Sequence, residues 1–142
     1  MVIDSIENGI VIDHIEAGCS MKLYQILRLG DLECSVAIIK NANSRKMGKK
    51  DIIKINELID LNFDVLGYID PDITVNIIKD RELKEKLHME LPSKVKNVIK
   101  CRNPRCITSE ESGIEHIFKI TDMKKRIYRC VYCESRASEK YD

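Results

Sequence analysis

The sequence predicts an α+β chain in two parts: an N-terminal antiparallel sheet with two helices on one face, then a small C-terminal all-β module. Three observations predict it. Short β-branched apolar runs alternate with helical periodicity through residue 90. The charge balance changes sign at Leu91-Pro92-Ser93: residues 1–92 carry 12 basic and 16 acidic side chains, net −4, and residues 93–142 carry 12 and 7, net +5. Four of the six cysteines fall after that point, in two closely spaced pairs. The boundary is therefore drawn as 1–92 and 93–142, at a proline that cannot continue a strand ladder.

The elements follow in order. Ile3 to Ile15 reads as an opening hairpin, with Asn8-Gly9 as the tight turn needing positive φ. Gly18 to Leu29 places Leu23, Ile26 and Leu27 at helical spacing, and Gly30 serves as C-cap. Cys34 to Ile39 is a β-branched strand, Asn41 to Gly48 a polar basic loop, and Asp51 to Leu58 a second strand. Phe63 to Ile69 forms a short helix closed by Pro71. Ile73 to Ile78 and Glu82 to Met89 are strands around a Lys79-Asp80 turn. This order is the split βαβ plan of ferredoxin-like folds, which leaves one sheet face open for a ligand or partner.

On that sheet, residues two apart share a face, so Lys50, Ile52 and Lys54 point together while Asp51, Ile53 and Ile55 point the other way. Four residues of strand separate the two lysines by ~13 Å, a span that suits an anion of nucleotide size. Asn76 and Ile78 share a face, as do Glu82, Lys84 and Lys86. Ordinary solvated strand lysines are the alternative.

In the C-terminal part, Cys101 and Cys106 form a C-x4-C pair and Cys130 and Cys133 a C-x2-C pair, 23 residues apart. Two turns that each deliver two thiolates suit a tetrahedral zinc ion, and four thiolates leave no open position for catalysis. Four buried free thiols or two disulfides are the alternatives. Ile114 to Ile120 and Arg126 to Arg129 read as short strands, which makes the module zinc-ribbon-like. Seven basic residues beside the knuckles (Lys100, Arg102, Arg105, Lys124, Lys125, Arg126 and Arg129) offset the net charge of about −2 that Zn²⁺ and four thiolates carry. His116 either replaces one cysteine or stands exposed on its strand. Cys19 and Cys34 read as small core residues.

Several function classes are excluded or unsupported. No apolar run approaches the roughly 20 residues that span a bilayer. The start, with Asp4 and Glu7 and no basic region, is unlike a secretory signal, and unexported cysteines imply a reducing, cytoplasmic setting. No phosphate-binding glycine loop, nucleophile elbow or His-Glu-x-x-His motif occurs, and His14, His88 and His116 are scattered. Residues alone thus describe a non-catalytic binding protein. A zinc-ribbon nucleic-acid-binding protein is the competing reading, suggested by the +5 charge of residues 93–142.

Six motifs in order sharpen this. Gly-x-Val-Ile-Asp-His-Ile (Gly9 to Ile15), Met-Gly-x-Lys-Asp-x-Ile-Lys-Ile (Met47 to Ile55), Thr-Val-Asn (Thr74 to Asn76), Leu91-Pro92 and the two knuckles together resemble the regulatory chain of aspartate carbamoyltransferase. The resemblance implies an allosteric domain, a zinc domain with one structural ion, and no catalytic activity. It implies homodimers of regulatory chains that bridge trimers of a separate catalytic chain in pyrimidine biosynthesis. The implied effectors are CTP, ATP and, acting with CTP in some members, UTP; no nucleic acid and no membrane enter. By position it implies nucleotide contacts at Asp13 and His14, at Lys50 and Lys54 near ribose and phosphate, and at Lys86 near the phosphates. Val11, Ile12, Ile52, Asn76 and Ile78 would line the base, with Ile3, Asp4 and Ile6 beside it. Arg81 and Leu83 stand where the family's familiar form has an aromatic residue and a valine. It also implies Cys101, Cys106, Cys130 and Cys133 as metal ligands. On an ideal strand Asp13 and His14 face opposite ways, so a site using both needs a strand end or backbone contacts there.

Overall fold

The structure, a computed structural model, describes residues 6–137. It divides into two compact units, Met1–Glu90 and Leu91–Asp142.

The first unit is built from β1 (Gly9–Glu16), α1 (Ser20–Ile26), a 3-10 turn at Leu29–Asp31, β2 (Val36–Ser44), β3 (Gly48–Ile55), α2 (Phe63–Ile69), β4 (Thr74–Lys79) and β5 (Glu82–His88). The strands form one sheet in the order β2-β3-β1-β4-β5, with every neighbouring pair antiparallel. Both β1 and β2 therefore run parallel with β3 between them, and α1 joins them. The same relation links β3 and β4 across β1 through α2. This is the expected ferredoxin-like plan, extended by β5.

Inward-facing residues are strongly apolar. Ile10, Ile12, Ile15, Ile53, Ile55, Ile73 and Val75 pack with Leu23 of α1, Leu66 of α2 and Leu29, all at 2% exposure or less. Seven-residue helices are too short to stand alone, so this packing is what holds them. Asn62 caps α2 by accepting from the Asp64 and Val65 N–H groups. At α1 the N-cap residue Cys19 makes no side-chain cap. The buried Asp51 carboxylate of β3 substitutes, accepting from Gly18 N (3.0 Å), Ser20 N (3.3 Å) and Ser20 Oγ (2.7 Å). Its second oxygen accepts from Asn41 N (3.0 Å) at the bulge in β2. One carboxylate thus ties three elements together. A Cβ at Gly67 would collide with the Glu90 carbonyl oxygen, so only glycine lets the chain just beyond β5 approach α2.

Several expectations need correction. No hairpin turns at Asn8-Gly9: β1 begins at Gly9, whose missing Cβ makes room for the Ile55 carbonyl rather than for a turn. The residues before it clasp the β4–β5 turn instead, with Asp80 N donating to Asn8 Oδ1 (3.1 Å) and Arg81 N to Glu7 O (2.8 Å). Ile3 and Asp4 lie outside the described residues. The first helix stops at Ile26, and Arg28 rather than Gly30 takes the left-handed conformation (φ 54°). Residues 41–44, expected in a loop, continue β2 to a tight turn before Gly48. The last turn of the sheet centres on Asp80 and Arg81, both at positive φ (52° and 67°), one residue later than expected.

The second unit comprises β6 (Lys94–Lys96), α3 (Ile107–Glu110), β7 (Ile117–Asp122) and β8 (Ile127–Cys130), with an antiparallel sheet in the order β6-β7-β8. Its two later strands start one to three residues beyond their expected positions. β6 and α3 were not expected, because three and four residues carry no readable period. Val95, Ile99, Phe118 and Tyr128 are buried beside Cys101, Cys106 and Cys130.

Candidate metal centre and open sheet face

The two knuckles deliver four sulfurs to one point. Cys101, Cys106, Cys130 and Cys133 place their Sγ atoms within 4.8 Å of one another. Cys101 and Cys133 sulfurs are 3.5 Å apart and Cys106 and Cys130 sulfurs 3.8 Å. Zn–S bonds of ~2.3 Å in a tetrahedron require S···S separations of ~3.8 Å. The donor set therefore fits one structural zinc ion, and all six cysteines are free rather than bridged.

Local hydrogen bonds shape each knuckle. Cys106 N donates to Asn103 O (3.0 Å), and Asn103 Oδ1 accepts from Arg105 N (3.0 Å). Glu134 N donates to Cys130 O (2.9 Å), with Glu134 in the left-handed region (φ 65°). Thr108 Oγ1 donates to Cys106 Sγ (3.1 Å). His116 neither replaces a cysteine nor stands free: its Nδ1 accepts from Cys101 N (3.1 Å), and its own N–H donates to Asn97 Oδ1 (2.9 Å). This geometry puts the ring proton on Nε2.

Without a cation the sulfurs resist ionising together. Burial, reinforced by the neighbouring sulfurs, pushes Cys101 up to about 12 and raises Cys130. Burial also acts against Cys133, but hydrogen bonds from Ser135 and Asn103 overcome it and bring that thiol down to about 6. A bound dication reverses the balance by making all four thiolates favourable.

The open face of the first sheet is laid out by its register. Ala37, Lys54, Val11, Asn76 and Lys86 stand directly opposite one another across β2-β3-β1-β4-β5. Neighbouring strands lie ~4.8 Å apart, so Lys54 and Lys86 bracket a space of ~14 Å with Val11 and Asn76 between them. Asn76 Oδ1 is buried and lacks a hydrogen-bond partner among the described residues. An unpaired buried acceptor costs about 1–3 kcal/mol unless a ligand donor satisfies it.

Beside this row, β1 bulges between Ile12 and Ile15. Both isoleucines are fully buried although they are three apart, and the extra residue is absorbed at His14 (φ 58°). The bulge removes the conflict noted for Asp13 and His14, since neither joins the core. Asp13 Oδ1 pairs with Lys50 Nζ (2.9 Å) and accepts from His14 N (2.6 Å). His14 Nδ1 meets Thr74 Oγ1 at 2.9 Å.

The structure thus collects Val11, Asp13, His14, Lys50, Ile52, Lys54, Asn76, Ile78 and Lys86 on one face. Leu83 is opposite Ile78 and 59% exposed. Ile12 is separate: its side chain lies in the core, leaving only its backbone to reach a ligand. Ile6 is likewise buried. Sequence reasoning passed over Thr74 and His88, which oppose each other on the same face. The Thr-Val-Asn motif already carried the signal for Thr74.

Among the described residues, no helix is long and apolar enough to cross a membrane. The family profile of the aspartate carbamoyltransferase regulatory chain, allosteric domain, matches residues 1–90, and that of its metal binding domain matches residues 93–141. The aspartate carbamoyltransferase regulatory chain of Clostridium tetani is 56% identical over 135 residues, covering 94% of each chain. That of Clostridium acetobutylicum is 54% identical over 134 residues (94% of this chain, 92% of the relative), and that of Bifidobacterium longum 40% over 137 (96% and 99%). With both units matched in order and the four sulfurs gathered for a metal, the chain belongs to the aspartate carbamoyltransferase regulatory chains, the non-catalytic partners of that enzyme's catalytic chain.

Proposed function

We propose that residues 1–92 form a nucleotide-binding allosteric domain and residues 93–142 a zinc-binding domain that contacts the catalytic chain. The regulatory chains pair as homodimers in the cytoplasm and bind CTP, ATP or UTP to control pyrimidine biosynthesis. The observation that carries this is the transverse row on the open sheet face, two lysines ~14 Å apart around an acceptor without a partner. Lys54 and Lys86 supply charge to a polyphosphate. Asn76 Oδ1 takes an N–H donor from the ligand, and Val11, Ile52 and Ile78 supply apolar contact. The Asp13–Lys50 pair and the His14–Thr74 contact hold the polar end of the site in place before a ligand arrives.

Control of another chain's chemistry is then a matter of linkage. A nucleotide shifts the assembly only as far as its affinities for two quaternary states differ. When bound, zinc closes the knuckles, and the second unit keeps its shape under that load.

Isothermal titration of CTP and ATP into the zinc-loaded chain tests the reading. Saturable binding with one site per chain is expected. Folded, zinc-loaded protein that binds neither nucleotide would overturn it.

A further inference from the structure

The register of the second sheet sets four cations in a line. Lys94 of β6 is directly opposite Lys119 of β7, which is opposite Arg129 of β8. Arg129 in turn bridges to Arg136. All four are exposed. Directly opposed residues share a face, so the line crosses the sheet over ~14 Å on the side away from Val95, Phe118 and Cys130.

Opposed like charges destabilise a sheet, and here three successive positions bear that cost. None of the four cations meets a carboxylate among the described residues, and Arg129 donates only to the Glu134 carbonyl (3.1 Å). The contrast within the sheet is direct, since Lys96 has Glu115 at 3.0 Å. The row is also anchored, because Arg129 immediately precedes the metal-site residue Cys130. Among the described residues the two aromatic rings of the sheet strands, Phe118 and Tyr128, are buried, so the strands that carry the row offer no exposed ring for stacking bases, and the exposed Tyr132 lies in the knuckle beyond β8. A row of cations that meets no carboxylate among the described residues, and has no exposed ring in its own strands, complements carboxylates on a protein.

We propose that the Lys94–Lys119–Arg129–Arg136 row is an electrostatic docking strip for a carboxylate-rich surface of the catalytic chain. The inference rests on the regulatory reading above and adds the surface and the force that bring the two chains together. Steering of this kind speeds encounter, fades with salt and is paid for in the free chain by self-repulsion.

The test uses the full zinc-loaded chain and its catalytic chain, with association rates followed at low and high salt. The wild-type rate falls about tenfold or more as salt rises. Lys119→Glu lowers the low-salt rate about tenfold, Lys119→Gln lowers it less, and all three converge at high salt. Both variants raise the thermal midpoint of the free regulatory chain, since each removes an opposed cation, and zinc content stays at one per chain. Equal low-salt rates for wild type and both variants would overturn the strip and leave the regulatory reading standing. Failure of the wild-type chains to assemble at all would instead overturn both. Binding of a labelled single-stranded RNA that is lost in Lys119→Glu, with assembly unchanged, would reassign the row to nucleic acid.

Discussion

The two units of this chain solve the problem of staying folded by different means. Residues 1–90 bury ten apolar side chains in one cluster beneath a five-stranded sheet. Residues 91–142 bury Val95, Ile99, Phe118 and Tyr128, and fill the rest of the interior with sulfur. A module of this size buries too small a fraction of its surface to be stable on apolar contacts alone. The lesson is about what each unit is free to do. The larger unit can leave a whole sheet face, mixed polar and apolar, outside its core because its other face carries the stability. The smaller one concentrates its stability at a point and so can tolerate a row of opposed cations.

The largest effect that separates the units is loss of the metal. Cys130→Ser, or chelation of the wild type, removes a binding free energy of ~10 kcal/mol or more from the second unit. Hydrogen exchange read by mass spectrometry should show residues 91–142 unprotected and residues 1–90 unchanged. Association with the catalytic chain should be lost as well. Protection that persists in the second unit without metal would break the comparison, because the four apolar residues would then suffice.

The corresponding weak point of the first unit is Asp51, whose carboxylate caps α1 and holds the β2 bulge. Asp51→Ala strands three N–H groups and the Ser20 hydroxyl, and should cost ~3 kcal/mol of that unit's stability alone, read from urea midpoints. The wild type should also reveal this residue through pH. Burial acts to raise Asp51, but its hydrogen bonds from Ser20, Asn41 and Gly18 outweigh that and hold it below the ordinary carboxylate value. Its contribution is then complete above the unfolded-state value near 4 and drains away as pH falls through the lower folded value. Asp70 behaves in the opposite sense. Burial raises it despite N–H donors from Asp72 and Glu16, so the stability it lends is present in acid and is lost as pH climbs through the raised folded value. Asp70→Asn should flatten the decline on that upper side, whereas Asp51→Asn should flatten the one in acid. An unchanged profile in both would show that other carboxylates set the acid limit.

Legibility from sequence followed the same division. Features marked by local chemistry are readable: Pro71 closes α2 at Phe63–Ile69, the apolar run at Ile73 to Ile78 marks β4, and the alternation of Asp51 to Leu58 marks β3, which lies three residues earlier at Gly48–Ile55. The sulfur cluster was readable because ligand spacing is a local property of two turns. Features set by distant partners were not. Gly9 looks like a turn residue in isolation, and only the Ile55 carbonyl across the sheet explains it. Asp51 was placed on the inward face by its period, yet its role as cap for α1 depends on a helix that starts 31 residues earlier. His14 could not be seen to bulge, since a bulge is defined by the strand opposite. The cation row is invisible until three strands are in register.

The smallest effect concerns the open face of the first sheet and asks whether its two lysines act on charge. Lys86 lies at the exposed edge strand, opposite Asn76, so a phosphate bound at the proposed site would feel its charge largely through water. Such an interaction is worth ~1.4 kcal/mol, so Lys86→Ala should weaken triphosphate binding about tenfold. The matching nucleoside carries no phosphate and should bind equally well to both proteins. Lys54, partly buried between Ala37 and Val11, has less water around it, and Lys54→Ala should therefore cost more at the triphosphate than Lys86→Ala does. The order of the two losses is what carries the argument. Equal losses for nucleoside and triphosphate in Lys86→Ala would mean that the lysine shapes the site through packing, and the phosphates would then have to lie elsewhere on the face.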